Sequence, residues 1–290
     1  MSIQNTYFET NKATWNTKVD VHAKSEMYKL EAFKKGETSL MPYELNALGD
    51  VSGKSLLHLQ CHFGQDTLSW SRAGAKCTGV DLSDKGVELA ESLNEELGLD
   101  AEFVCCNVLD TSTYVKGTFD IVFTSYGVIG WLPDLKPWGQ MIAEKLKPGG
   151  VFYIVEFHPI VWMFDYLEGK AVMTYGYMQD EAIYEAYEGT YADTASKMIS
   201  KEYGWNHGLS EVVNALTEAG LHIDYLNEHK TVREFEKKFS DNYVPRPSHW
   251  NGYLVAPVLI EFWQDMPFRL HDRLEFRMEN DGWVTRKLYP

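Results

Sequence analysis

Short apolar runs alternate with amphipathic runs between Ser55 and Phe157. This rhythm predicts strands and helices in alternation, the arrangement that builds a parallel sheet. The predicted strands are SLLHLQ (55–60), KCTGVD (76–81), AEFVCC (101–106), FDIVFTSY (119–126) and VFYIVEF (151–157). The fourth is almost entirely apolar, as is typical of a central parallel strand that is buried on both faces.

Amphipathic runs with glycine stops predict the intervening helices. The segments are QDTLSWSRA (65–73) before Gly74, 83–97 before Gly98, and 138–146 before a Lys-Pro-Gly-Gly stop. Regular patterning resumes with a helix at 209–220, an alternating strand LHIDYLNEH (221–229) and a hairpin within 273–289 around Asn-Asp-Gly. The predicted fold is therefore α/β, with a doubly wound, mostly parallel sheet.

Four segments follow from this patterning. Residues 1–50 look mainly helical and form a cap or arm, and residues 51–157 form the core. Residues 158–204 interrupt the rhythm, with seven of the 17 tyrosines and eight acids against three bases, and form either a lid or a dimer interface. Residues 205–290 are expected to complete the core sheet, with a further insertion at about 231–270.

Composition narrows the functional classes. Lys and Arg total 27 against 42 Asp and Glu, and a net charge of -15 disfavours binding to nucleic acid or to anionic lipid. The opening residues lack a secretory signal and no window is apolar enough to span a bilayer, so we expect a soluble cytoplasmic protein. The four cysteines lack zinc-site spacing, so we expect buried free thiols and no metal site.

The turn after the first strand carries the candidate chemistry. Ligands of open parallel sheets bind where strands end, and Asp81 ends the second strand 21 residues after Gln60. A carboxylate at this offset typically accepts from ribose hydroxyls. Gln60 and His62 stand where a dinucleotide fingerprint needs glycine, which disfavours phosphate. S-adenosylmethionine, with a ribose and an amino acid end but no phosphate, fits this loop better than a dinucleotide.

The chain here resembles the class I S-adenosylmethionine-dependent methyltransferases, over about residues 55–157 and again over 205–230. LLHLQCHFG is similar to the family's first-strand loop, GVDLS to its ribose-binding segment and CCNVLD to its adenine contact. FDIVFTSYGVIGWL and LKPGGVFYIVEF are similar to its fourth strand and its turn into the fifth. The resemblance implies a Rossmann-like sheet of seven strands with the last antiparallel, which the C-terminal hairpin is expected to supply.

The resemblance also implies a set of cofactor contacts. An acid is usual in the family where His58 stands, and glycines where Gln60 and His62 stand. At the third motif an acid is frequent where this chain has Asn107. The expected cofactor-binding residues are Gln60, His62, Gly64, Asp81, Leu82, Asn107, Val108 and Ser125.

Residues just beyond the fourth and fifth strands are placed to meet a methyl acceptor. The first choice as a general base is His158, because an imidazole takes a proton near neutral pH; His207 is the second choice. The alternative for His158 is that it simply closes the fifth strand, and the alternative for His207 is a helix-capping or surface role. The other candidates are Tyr126, which we count as catalytic, and Ser125, Trp131, Glu156, Phe157, Trp205 and Asn206.

Three functions remain open. The first is a small-molecule methyltransferase. The second is an S-adenosylmethionine-binding module without transferase activity, and the third is a nicotinamide-dependent oxidoreductase. A homodimer is possible in each case.

Overall fold

The computed structural model describes residues 3–167, 170–229, 259–264, 272–279 and 282–288. They fall into two compact units, Met1–His229 and Lys230–Pro290, and each unit is described by itself.

A five-stranded parallel sheet organises the first unit. Its order is β3-β2-β1-β4-β5, with Leu57 of β1 opposite Thr78 of β2 on one side and Val122 of β4 on the other. The strands are β1 (Ser55–Leu59), β2 (Lys76–Asp81), β3 (Glu102–Cys105), β4 (Phe119–Ser125) and β5 (Leu146–Val155). The predicted parallel α/β fold is confirmed at this level.

Helices cover both faces of this sheet. Three of them, α1 (Ile3–Lys24), α2 (Leu30–Lys34) and α3 (Pro42–Leu48), precede β1. The others are α4 (Gln65–Arg72), α5 (Asp84–Glu96), α6 (Thr111–Tyr114), α7 (Lys136–Lys145) and α8 (Leu209–Glu218). No helix among the described residues has the length and apolar character that crossing a bilayer requires.

Two apolar clusters sandwich the sheet. Successive strand residues point to opposite faces, so Leu57 joins a cluster with Trp138, whereas Leu56 joins a cluster with Trp70. All four of these side chains are buried. The interior strand β4 contributes to both clusters, as its apolar run predicts.

Residues 158–204 build two antiparallel ribbons beside the carboxyl ends of the strands. The first consists of β6 (Phe164–Leu167) and β7 (Lys170–Met173), and the second of β8 (Ile183–Glu188) and β9 (Ile199–Gly204). Helix α1 packs along β9. We call α1 and the β8–β9 ribbon, including its connection, the cap.

The second unit contains a three-stranded antiparallel sheet, β10-β11-β12. Its strands are β10 (Leu259–Gln264), β11 (Asp272–Glu279) and β12 (Gly282–Leu288). The predicted hairpin is therefore present, but its two strands are not in the five-stranded sheet, which they were expected to complete. The turn residues Asn280 and Asp281 and most of the predicted insertion at 231–270 lie outside the described residues.

Two further sequence-based expectations differ from the structure. LHIDYLNEH (221–229) is irregular and mostly exposed, because no described strand lies beyond β5 to pair with it. The described residues thus give five of the seven predicted core strands. Among the cysteines, all free, Cys105 is exposed rather than buried, because it ends the edge strand β3.

Candidate cofactor and acceptor site

The loop after β1 is held in a strained conformation. Gln60 and His62 have φ values of 54° and 52°, which side chains rarely adopt. Gly64, with a φ of 78°, is the N-cap residue of α4. A Cβ atom at this position would lie 2.7 Å from the ring of Phe103. Close packing therefore accounts for Gly64, while the loop turns the Gln60 and His62 side chains toward the end of the sheet.

Asp81 is anchored beside this loop. Its Oδ2 atom accepts from the His62 backbone N–H at 2.7 Å, and its Oδ1 atom accepts from the Ser83 N–H at 2.8 Å. Burial raises the pKa of Asp81 to about 6, against the opposing effect of these hydrogen bonds. The carboxylate is therefore mostly ionised at pH 7 and, as an acceptor of up to about four hydrogen bonds, it keeps acceptor capacity for a ligand.

Two buried polar atoms on the loop have no partner among the described residues. The Gln60 amide nitrogen donates to the Val128 carbonyl at 2.9 Å, but its Oε1 atom is unpaired. The Nδ1 atom of His62 is likewise unpaired. Such atoms are costly unless a ligand or water satisfies them, so they mark a polar binding position next to Asp81.

A histidine from α1 completes this wall. His22 Nδ1 lies 3.0 Å from His62 Nε2, and His22 Nε2 lies 3.1 Å from the Thr190 hydroxyl on the β8–β9 connection. Burial and, to a smaller extent, the charge of Lys18 lower the pKa of His22 to about 3. Burial also holds the pKa of His62 well below its usual value, so both rings are neutral at pH 7.

The turn after β4 forms the opposite wall. Tyr126 has a φ of 42°, and a carboxylate fixes the residues that follow it. Glu156 accepts the backbone N–H groups of Gly127 and of Val128, the latter at 2.8 Å, and also that of Phe157 at 2.7 Å. Burial raises the pKa of Glu156, and these hydrogen bonds oppose the change. Glu156, expected near the acceptor, thus holds the backbone of this turn.

An aromatic enclosure surrounds one buried ammonium group on the cap. Lys18 Nζ lies 2.6 Å from Glu202 Oε2, and the other Glu202 oxygen accepts from the Tyr187 hydroxyl at 2.6 Å. Four ring centroids lie 4.9 to 5.9 Å from Nζ, those of Trp15, Trp131, Tyr187 and Tyr191. The ring centroids of Trp15 and His62 lie 5.1 Å apart, and this ring contact connects the enclosure with the loop after β1.

The two histidines predicted as general bases are both engaged. His158 Nε2 pairs with Glu228 at 2.9 Å, and its Nδ1 accepts from the Ile160 N–H at 3.2 Å. His207 is buried and its Nε2 donates to the Leu132 carbonyl at 2.7 Å. A base role for either stays a prediction, since these contacts also serve the alternative closing and capping roles.

The remaining predicted residues occupy the same end of the sheet. Asn107 Oδ1 accepts from the Leu109 N–H at 3.0 Å, so its side chain caps the turn that buried Val108 begins. Leu82 follows Asp81 directly. Ser125, at the end of β4, donates to Asp66 at 3.1 Å.

Sequence reasoning missed the residues of α1 that line this site. Asn11, Thr14, Lys18 and His22 are all buried, and their spacing of three or four places them on one helical face. Asn11 and Thr14 bond the backbone of β9 at Tyr203 and Lys201. The signal was a polar stripe at helical spacing, which a search for apolar stripes does not detect.

The first unit matches known methyltransferases. A family model described as a methyltransferase domain matches residues 57–154. A S-adenosylmethionine-dependent methyltransferase structure from Clostridium acetobutylicum is 16% identical, with a TM-score of 0.51, over 74% of this chain and 90% of the other. One from Mesorhizobium loti is 19% identical, with a TM-score of 0.50, over 71% and 90%.

Residues 57–154 form a methyltransferase domain. The resemblance to the class I S-adenosylmethionine-dependent family is thereby confirmed. At these identities the two structures establish the fold, while the family model establishes the type of domain.

The C-terminal segment is similar to a different family. A model described as the pyridoxine 5'-phosphate oxidase C-terminal dimerisation region matches residues 250–290. Curated pyridoxine/pyridoxamine 5'-phosphate oxidases from Granulibacter bethesdensis and Caulobacter vibrioides are each 54% identical over 61 residues. The matches cover 21% of this chain and 29% and 28% of those proteins, so the chain spans less than a third of the curated relatives that it matches.

Proposed function

We propose that this protein transfers a methyl group from S-adenosylmethionine to a small-molecule acceptor. The observation that carries the proposal is the juxtaposition of Asp81 with the unpaired Gln60 Oε1 and His62 Nδ1 atoms. The cofactor offers two ribose hydroxyls, one ammonium and one carboxylate. An acid, an orphan acceptor and an orphan ring nitrogen are the complementary groups.

Each of these residues has a distinct binding role in the proposal. Asp81, ionised above a pKa of about 6, accepts from the ribose hydroxyls through its free lone pairs. Gln60 Oε1 accepts from the cofactor's ammonium group, and His62 binds the carboxylate. Asn107 and Val108 lie at the expected adenine position. The side chain of Asn107 serves its own turn, so the backbone of this turn is left to contact the ring.

The cofactor supplies an electrophilic methyl group on sulfur, and the protein's task is to orient the acceptor and exclude water. Glu156 keeps the turn after β4 in one conformation. That turn carries Trp131, whose indole donates to the Gly127 carbonyl at 2.8 Å and whose ring lies 5.3 Å from that of Trp15. We place the acceptor against these rings, beneath the β8–β9 ribbon, which acts as the lid.

Calorimetry with S-adenosylhomocysteine tests the cofactor assignment. The intact protein is expected to bind it, and Asp81→Asn to weaken binding about 10- to 100-fold, because hydrogen bonds to a charged group are lost. Asp100→Asn, an exposed acid after α5, is the matched control and should bind normally. Absence of binding, or equal affinity of the wild type and Asp81→Asn, would refute the assignment. NAD is expected not to bind.

A binding module without transferase activity is the second candidate function. The engagement of both His158 and His207 in local contacts favours it, because these contacts serve closing and capping roles that need no acceptor. An acceptor screen by mass spectrometry separates the two candidates. One authentic methylated product that depends on Asp81 excludes the module.

We also propose that the protein forms a homodimer through its second unit. The similarity of residues 250–290 to a region described as a dimerisation region supports this assignment. Sedimentation velocity of the full chain is expected to give a dimer at micromolar concentration. A monomer at every concentration tested would contradict it.

A further inference from the structure

The proton positions in the chain Thr190, His22, His62 follow from counting donors. The Thr190 hydroxyl oxygen already accepts from the Ala192 backbone N–H at 3.0 Å and from the Asp193 N–H at 3.2 Å, which it shares with the Thr190 carbonyl. Its own hydrogen is therefore directed at His22 Nε2, 3.1 Å away. His22 Nε2 is an acceptor.

A neutral imidazole with one acceptor nitrogen carries its hydrogen on the other. The hydrogen of His22 is thus on Nδ1 and points to His62 Nε2 at 3.0 Å. His62 Nε2 must accept, which places the hydrogen of His62 on Nδ1. This is the buried atom that has no partner among the described residues.

The reverse proton order is unfavourable. It needs a hydrogen on His22 Nε2 facing an oxygen that already accepts twice, while the Thr190 hydrogen loses its acceptor. The reverse order would also leave His62 Nδ1 without a hydrogen, so that this atom could accept a hydrogen bond but not donate one. Groups around His22 do not reverse the order. The Tyr191 hydroxyl lies 3.5 Å from Nδ1, longer than a normal hydrogen bond, and it pairs with the Tyr28 hydroxyl at 2.6 Å. The charge of Lys18 disfavours protonation of both rings, and Trp15 meets both rings edge-on.

We propose that Thr190 and His22 are positioning residues that fix His62 as an Nδ1–H donor to the carboxylate of S-adenosylmethionine. The inference rests on the proposed function and deepens it. We call the hydrogen-bonded series Thr190–His22–His62 the relay. Because Thr190 lies on the lid and His22 on α1, the relay also makes carboxylate binding depend on the assembled cap.

Truncating the ligand isolates this effect. S-adenosylhomocysteine has the carboxylate, whereas 5'-methylthioadenosine has the same nucleoside without the amino acid end. His22→Leu is expected to weaken S-adenosylhomocysteine binding about 10- to 100-fold and to leave methylthioadenosine binding unchanged. Asp81→Asn should weaken both ligands, because both retain the ribose.

Two conservative variants serve as rescues. In His22→Gln the amide can accept from Thr190 and donate to His62, so affinity should return to within a few fold of the wild type. Thr190→Ser should behave as the wild type, and Thr190→Val should lose affinity for S-adenosylhomocysteine alone. Circular dichroism spectra verify that each variant is folded.

Nitrogen NMR of labelled histidines measures the tautomer of His62 in the absence of any ligand. The wild type should show His62 as the Nδ1–H tautomer, and His22→Leu should shift it toward Nε2–H. An Nε2–H tautomer in the wild type, or an equal loss of both ligands in His22→Leu, would overturn the relay. In that case the proposed function stands as long as the wild type binds S-adenosylhomocysteine; if it binds neither ligand, the proposed function itself fails.

Discussion

The parallel sheet and the cap both bury side chains, but the buried side chains differ in chemistry. Leu57 and Val122 of the sheet sit among apolar side chains with no exposed surface. The cap buries the Lys18–Glu202 ion pair and His22 instead. Apolar packing stabilises the sheet without directional requirements, whereas each cap contact needs a particular partner. The cap therefore depends on specific polar partners and is not simply a second apolar core.

Breaking the buried ion pair is the largest expected effect. Lys18→Met should lower the free energy of unfolding by about 3–5 kcal/mol, because it leaves Glu202 buried without its counter-charge. The double variant Lys18→Met, Glu202→Leu should recover most of the loss in urea unfolding. A double variant no more stable than Lys18→Met would contradict the difference between cap and sheet.

Truncating the sheet core comes next. Leu57→Ala should cost about 2–5 kcal/mol in urea unfolding, through lost transfer energy and the cavity left behind. Unlike the ion pair, this loss has no charged partner whose removal restores stability. Restoring volume with Leu57→Met should cost under about 1.5 kcal/mol. A Leu57→Ala variant as stable as the wild type would contradict the core assignment.

The sequence predicted the sheet well, because strands and helices that pack against each other repeat local patterns of apolar residues. Apolar runs ending at Asp81 and Tyr126 located β2 and β4, whose observed ends are Asp81 and Ser125, and with them the candidate binding end of the sheet. The cap contacts of His22 and Lys18 were missed, because they depend on residues about 170 to 180 positions away that no local pattern connects. The second family was also missed, since alternating strands and an Asn-Asp-Gly turn are common to many antiparallel sheets.

The pH dependence of stability compares one buried histidine from each region, His22 of the cap and His58 of the sheet. Burial lowers the pKa of His22 in the cap to about 3 and that of His58 in β1 to about 4. Both values lie below the unfolded value of 6.5. The stability that each neutral ring contributes is therefore complete above pH 6.5 and is lost as the pH falls, by about 2 kcal/mol per ring between pH 7 and 5.

Asp81 opposes this trend, because its pKa, raised to about 6, makes the folded state bind a proton more readily than the unfolded state between pH 4 and 6. Net stability should still fall from pH 7 to 5 in urea unfolding. His22→Phe and His58→Phe should each flatten the dependence, and unchanged slopes in both variants would contradict the buried neutral state.

The smallest expected effect concerns the attachment of α1 to β9. Asn11→Leu removes two hydrogen bonds to Tyr203, at a cost of about 0.5–1.5 kcal/mol each, and should speed amide hydrogen exchange in β9 but not in β1. Thr17→Val, on the exposed side of α1, is the matched control. Equal exchange rates in β9 for both variants would show that apolar packing alone holds the cap.

A crystal structure of the full chain with S-adenosylhomocysteine tests the central claim most directly. We expect Asp81 within hydrogen-bond distance of both ribose hydroxyls, Gln60 Oε1 at the ammonium group and His62 Nδ1 at the carboxylate. A ligand bound elsewhere, with Gln60 Oε1 and His62 Nδ1 still unpaired beside Asp81, would contradict the account.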